Sequence, residues 1–256
     1  QPDNIRAKQC NRAWFELAKL EQILDEYEKT VDGMVAGTIP LPPPVPTYQT
    51  SKITVDGTSS KATVRLPDGT LDENFPVFFT GHGHFRQVRK DVDVFPDYGV
   101  NYIQVEHGPT SMLPNETDVR TDAIEGFIEV AKRAEKSNVS ITLLLSPHYF
   151  PRWALEKYPH LEDCTGGFFK YCTHAPESRA VIEKYLRNVI PMVKDLPAIH
   201  SFCLSNEPIC NNSENCRVVK EIWPKWLEKR HKTLDELNAK WGTEYKSFTE
   251  IPIPTP

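Results

Sequence analysis

Near the start of the chain, Trp14, Leu17, Leu20, Leu24 and Tyr27 recur at spacings of three and four, with charged residues between them. That period predicts an amphipathic helix over residues 5–30, its apolar stripe expected to pack on the main domain. Gly33 and Gly37 end the pattern, and Pro40-Leu41-Pro42-Pro43-Pro44-Val45-Pro46 reads as an extended strap. Residues 52–66 alternate as strands do, with Ile53 and Val55, then Ala62, Val64 and Leu66 on one side, and Gly57 and Asp68-Gly69 as turns. Residues 1–70 are therefore expected to hold a helix, a strap and a small β appendage.

From about residue 75 the rhythm changes. Short apolar runs alternate with helical stretches: Val77–Thr80, then Val100–Val105, then a helix starting at Thr121-Asp122 and ending near Lys136. Ser140–Leu145, a helix from Glu177 to about Lys194, and Ile199–Leu204 follow. A last helical stretch holds Trp223, Trp226 and Leu227 and continues through Thr233–Asn238. Continuous apolar strands separated by helices predict a buried parallel sheet, so the fold class is α/β. Residues 71–256 hold four such strands with their helices, so they read as the first half of a TIM-type (β/α)8 barrel.

In such barrels functional groups sit just past the carboxyl ends of the strands. Here those positions carry His82 and His84, then Glu106 and His107, then His148 with Trp153, then Asn206-Glu207-Pro208. Singly, each has an ordinary structural reading: a hydrogen-bonded histidine, a Glu106 paired with Arg86 or Arg89, a Trp153 packed at the rim. Four consecutive strand ends delivering such groups to one rim point to a site. The four histidines also allow a zinc reading, although no helical His-x-x-x-His pattern fixes its geometry.

Composition narrows the class. Hydrophobic residues make up 39% of the 256, enough for a sizeable core, and the net charge of −5 with no basic stripe argues against a nucleic-acid partner. No apolar run is long enough to span a membrane. Cys164 and Cys172 are separated by seven residues and Cys210 and Cys216 by five, each pair bracketing a polar loop. These pairs read as disulfides, with buried thiols or zinc ligands as alternatives. Sequons at Asn115, Asn138 and Asn211 point with them to glycosylation and a secreted protein.

Ser205-Asn206-Glu207-Pro208 after an apolar strand resembles the fourth-strand motif of clan A glycoside hydrolases. Ser146-Pro147-His148-Tyr149-Phe150-Pro151-Arg152-Trp153-Ala154 resembles the third-strand segment of family-42 β-galactosidases. Trp226-Leu227, Thr233–Asn238 and Trp241-Gly242-Thr243 resemble their segment after the fourth strand. The Gly81–Phe85 stretch is similar to related agarases, and the family's zinc-binding cysteine cluster is not reproduced. The resemblance, over about residues 75–254, implies a retaining glycosidase acting on a galactose-type glycan. It implies Glu207 as acid/base and Asn206 as the group gripping the sugar 2-hydroxyl. His82, His84, Glu106, His107 and His148 would line sugar subsites and Trp153 would offer a stacking face.

A retaining glycosidase needs a second carboxylate about 5–5.5 Å from the first. In the clan it stands at the end of strand seven, about 90 residues past strand four. The later acidic residues, Glu214 to Glu250, fall in loop and helix. A second polypeptide or segment is therefore expected to complete the barrel and supply the nucleophile, and no cofactor is needed. The alternative is a catalytically inactive barrel serving as an extracellular carbohydrate-binding or structural protein.

Overall fold

A computed structural model describes residues 2–41, 47–66, 68–83, 86–209 and 213–255. The chain divides into two compact units, Gln1–Pro46 and Thr47–Pro256. The first contains one 34-residue helix, α1 (Pro2–Val35), longer at both ends than its apolar period predicts. Gly33 lies inside it, because a single glycine weakens a helix without stopping it.

The second unit opens with an antiparallel sheet of β1 (Thr47–Asp56), β2 (Ser59–Arg65) and β3 (Leu71–Pro76). The parallel sheet follows, ordered β4 (Gly81–His82), β5 (Tyr102–Glu106), β6 (Ser140–Leu144) and β7 (Ile199–Cys203). Its helices are α2 (Arg86–Lys90), α3 (Pro109–Met112), α4 (Asp122–Lys136), α5 (Arg152–Lys157), α6 (Pro176–Val193), α7 (Arg217–His231) and α8 (Leu234–Trp241). Neighbouring parallel strands in sequence order, joined by helical crossovers, are half of a β/α barrel.

The first barrel strand differs from the expectation. Val77–Thr80 makes no ladder, and the pairing with β5 falls on Gly81 and His82 instead. The side chain of Asn101 takes the ladder's place there: its Oδ1 accepts from the Thr80 N–H at 2.9 Å and its Nδ2 donates to the Phe78 carbonyl at 3.0 Å. His82 thus lies within a strand rather than after one.

The two faces of the sheet differ in chemistry. Ile103 and Val105 of β5 and Ile141 and Leu143 of β6 pack outward on Ile124, Phe127 and Ala131 of α4 and on Val181, Tyr185 and Val189 of α6. On the other face Tyr102, Thr142 and Ser201 join their hydroxyls, with Thr142 and Ser201 2.6 Å apart. The shift in register between β6 and β7 brings His200 to the same face, its ring 4.8 Å from that of Phe79 and 5.5 Å from that of Tyr102. β5 therefore alternates buried and half-buried residues, whereas β6 is buried throughout. A smaller core of Leu227, Leu237 and Ile251 joins α7 and α8.

Replacing Asn101 by Ala removes both substitutes for the ladder. We expect a loss of about 1–3 kcal/mol in stability, read as a lower midpoint in urea unfolding with an unchanged slope.

Candidate active site

The carboxyl ends of β5, β6 and β7 lie side by side, because hydrogen bonding continues past the strands. His107 N–H donates to the Leu144 carbonyl and Leu145 N–H to the Cys203 carbonyl, each at 2.9 Å. Gly108 lets the loops after β5 and β6 meet: a Cβ there would lie 2.8 Å from the Tyr149 Cβ and 3.1 Å from the Ser146 carbonyl.

Two non-glycine residues at these ends, Ser146 and Glu207, each have φ of 39°. Left-handed backbone at residues with a Cβ costs about 1–3 kcal/mol and concentrates at functional sites. Ser146 is fully buried, and its hydroxyl donates to Glu106 Oε2 at 3.3 Å, while Tyr149 OH donates to Glu106 Oε1 at the same distance. Tyr149 and Phe168, both exposed, lie 4.3 Å and 5.4 Å from the His148 ring. Burial holds the His148 pKa below its ordinary value, partly offset by the Glu106 charge. The loop carrying Phe168 reaches the last strand end, since a Cβ on Gly167 would sit 3.1 Å from the Ile209 Cβ.

Glu207 is exposed and Asn206 half-buried, four and three residues past β7. Of the other expected site residues, Glu106 and His148 share one end of the sheet. The side chain of His82 and the whole of His84 lie outside what is described. Ser146, Tyr149 and Phe168 were not singled out as site residues. A carboxylate at the end of β5 that needs donors from the neighbouring strand end was the one signal available for the first two.

Two expected subsite residues are corrected. His107 is 4% exposed and points into the core, not the rim. Its ring stacks on Tyr185, its Nδ1 lies 3.1 Å from the Tyr185 hydroxyl, and that hydroxyl donates to the His107 carbonyl. Trp153 donates from Nε1 to the Leu113 carbonyl at 3.0 Å. With Tyr158, Val181 and Lys184 it lines a 440 Å³ cavity, and it packs half-buried against the core.

The cysteines are corrected too. Cys172 and Cys216 bring their sulfurs to 3.3 Å, and the Cys164 sulfur is within 4.8 Å of both. Among the described residues the cysteines are free, so the expected Cys164–Cys172 bridge gives way to a trio spanning the loop after β6 and the residue preceding α7. Cys210, and with it the expected Cys210–Cys216 bridge, lies outside the described residues, as does Asn211. Burial, then the neighbouring thiols, raise the Cys164 pKa.

The trio also revises the metal reading. Among the described residues the group able to hold an ion is this set of thiols, and two of the four histidine side chains lie outside what is described. Three sulfurs converging in an interior suit three corners of a tetrahedral zinc site, whose role would be structural, pinning the two loops together.

This is the class that fold and site define: the first half of a β/α barrel with strained, polar residues at its strand ends. More narrowly, the chain belongs to the glycoside hydrolase 42 family, described as β-galactosidase, whose family model matches residues 78–256. It is 26% identical over 182 residues to β-galactosidase YesZ of Bacillus licheniformis and 35% identical over 107 residues to β-galactosidase BgaB of a Geobacillus species. These matches cover 65% and 37% of this chain but 27% and 16% of the relatives, so the chain spans about a quarter of the length of the first.

Among solved structures it resembles the apo exo-carrageenase of family 42 from Bacteroides ovatus, with a TM-score of 0.60 and 20% identity, covering 91% of this chain and 31% of that one. Gan42B, a family-42 β-galactosidase from G. stearothermophilus, matches with a TM-score of 0.54 and 21% identity over 70% of this chain and 29% of that one. These likenesses establish the barrel fold.

Two measurements follow from the buried groups. Desolvation, helped by the Arg89 charge, lowers the His107 pKa from 6.5 to about 4. The folded state holds it neutral, so its contribution is complete above pH 6.5 and is lost as pH falls from 6.5 toward 4, by up to about 3 kcal/mol. The variant His107→Gln should show a flatter fall in melting temperature across that window.

Metal analysis of protein prepared without chelator should find one zinc per chain. Cys172→Ser and Cys216→Ser should each remove it and lower the melting temperature.

Proposed function

We propose that the barrel to which this chain contributes its first four units hydrolyses β-linked, galactose-type glycans with retention of configuration. One observation carries the reading: within a family-42 sequence, Glu207 stands past the fourth strand in a left-handed conformation, behind Asn206. Glu207 protonates the departing glycosidic oxygen and then deprotonates the attacking water. Asn206 holds the 2-hydroxyl. Glu106, oriented by Ser146 and Tyr149, accepts a sugar hydroxyl, and His148 and Phe168 offer it ring faces. The nucleophilic carboxylate comes from strands five to eight, on a further segment or a second polypeptide of at least about 120 residues.

The protein works outside the cell in this reading. The sequons support it, with Asn115 better placed than Asn138. Asn115 is exposed in a tight turn in which its Oδ1 accepts from the Thr117 and Asp118 N–H groups. Asn138 is half-buried between α4 and β6, with Val139 and Ser140 buried behind it.

The test is Glu207→Gln in the completed barrel. Turnover of natural glycans should fall by about 10²–10⁴. Aryl glycosides whose leaving groups need no proton should keep their rate of glycosyl-enzyme formation. Equal losses on both substrates would remove Glu207 from the acid/base role.

A further inference from the structure

Between α5 and α6 the chain makes a short finger. Gly166 and Phe169 exchange two backbone hydrogen bonds, each 2.8 Å long, and the chain turns between them through Gly167 and Phe168. Gly167 has φ of 52°, which a side chain would strain. A two-residue turn closed by such a bonded pair fixes the direction of its tip. Its base is anchored. Phe169 is buried in the core with its ring 5.7 Å from that of Tyr171, and the Tyr171 hydroxyl donates to the Pro147 carbonyl at 3.0 Å, just before His148. Phe168, at the tip, is exposed. The backbone that presents its ring is ordered in advance, so contact with a ligand costs little further entropy.

Two neighbours locate the tip. The Phe168 ring lies 5.4 Å from that of His148. Gly167 lies against Ile209, since a Cβ on it would stand 3.1 Å from the Ile209 Cβ and 3.3 Å from its Cδ1. Ile209 is itself exposed and follows Glu207 in the segment after β7. The finger therefore adjoins the segment that carries the acid/base.

Glu207 protonates the oxygen that joins two sugar units, so one unit lies to each side of its carboxyl. The unit being transferred takes the hydrogen-bonding groups at the strand ends, Glu106 and Asn206, because enclosed hydroxyls must be paired. Phe168 and Ile209 carry no polar side-chain atom and stand farther along the same loops. They offer ring and C–H surface alone, which suits a pyranose ring leaving toward solvent. On the basis of the hydrolysis proposed above, we propose that Phe168 and Ile209 form the leaving-group subsite, with Phe168 as the residue that favours a sugar ring over a small leaving group. The His148 ring is then left to the transferred unit.

The completed barrel is assayed on two substrates that differ only in what departs: a β-linked digalactoside, and β-galactosyl fluoride, whose leaving group is one atom. Phe168→Ala should lower kcat/KM for the digalactoside about tenfold, the worth of covering part of a phenyl ring, and leave that for the fluoride unchanged. Phe168→Trp should restore the digalactoside value, and Ile209→Ser should lower it selectively. The unchanged fluoride reaction shows that each variant is folded. Equal losses on both substrates, or none on either, would overturn the proposal. If the native barrel cleaves neither substrate, the hydrolytic reading itself fails and the subsite with it.

Discussion

The structure of the second unit depends on the burial of β6. Its five residues are covered on both faces and hydrogen-bonded on both edges, and no other strand in the parallel sheet is so enclosed. A backbone taken wholly out of water must have every N–H and C=O paired. That requirement brings β5 to one side of it in register, and β7 to the other with a shift after Ile141, both parallel. The outward residues of β5 and β6 then need an apolar cover, which α4 and α6 supply. The placement of Glu106, Ser146 and Glu207 is a by-product of that arrangement, since hydrogen bonds past the strands keep their ends side by side.

The rim is built from groups under constraint. Ser146 and Glu207 accept unfavourable backbone conformations where strands give way to loops, and the packed sheet beneath them makes those conformations the only ones available. Ser146 gains a use from this, since its buried hydroxyl reaches Glu106. Close approach does the rest. Gly108 and Gly167 stand where a side chain would press on a neighbouring loop, so the loops after β5, β6 and β7 draw together.

The thiol trio and His107 show how similar residue types diverge with surroundings. Cys164, Cys172 and Cys216 come from two loops far apart in sequence and meet because Ser178, in the first turn of α6, holds the Cys172 carbonyl at 2.6 Å while Cys216 immediately precedes α7. His107 stands beside Glu106 in sequence, yet strand alternation sends it to the opposite face, where it stacks on Tyr185 and stays neutral.

The sequence by itself determined the order of strands and helices, the half-barrel class, and the motif around Glu207. These rest on local hydrophobic period and on short contiguous stretches, both written into neighbouring residues. Its prediction of the first barrel strand failed because the Asn101 side chain, more than twenty residues away, took over the hydrogen bonds that a strand at Val77–Thr80 would have made. Only the tertiary structure decided that His107 and Trp153 face the core side, that Cys172 lies against Cys216, and that Ser146 and Tyr149 serve Glu106. Each of these joins residues across at least two elements. The direction of a side chain at a strand end depends on which face its neighbour leaves open, and that is settled by packing, not by spacing along the chain.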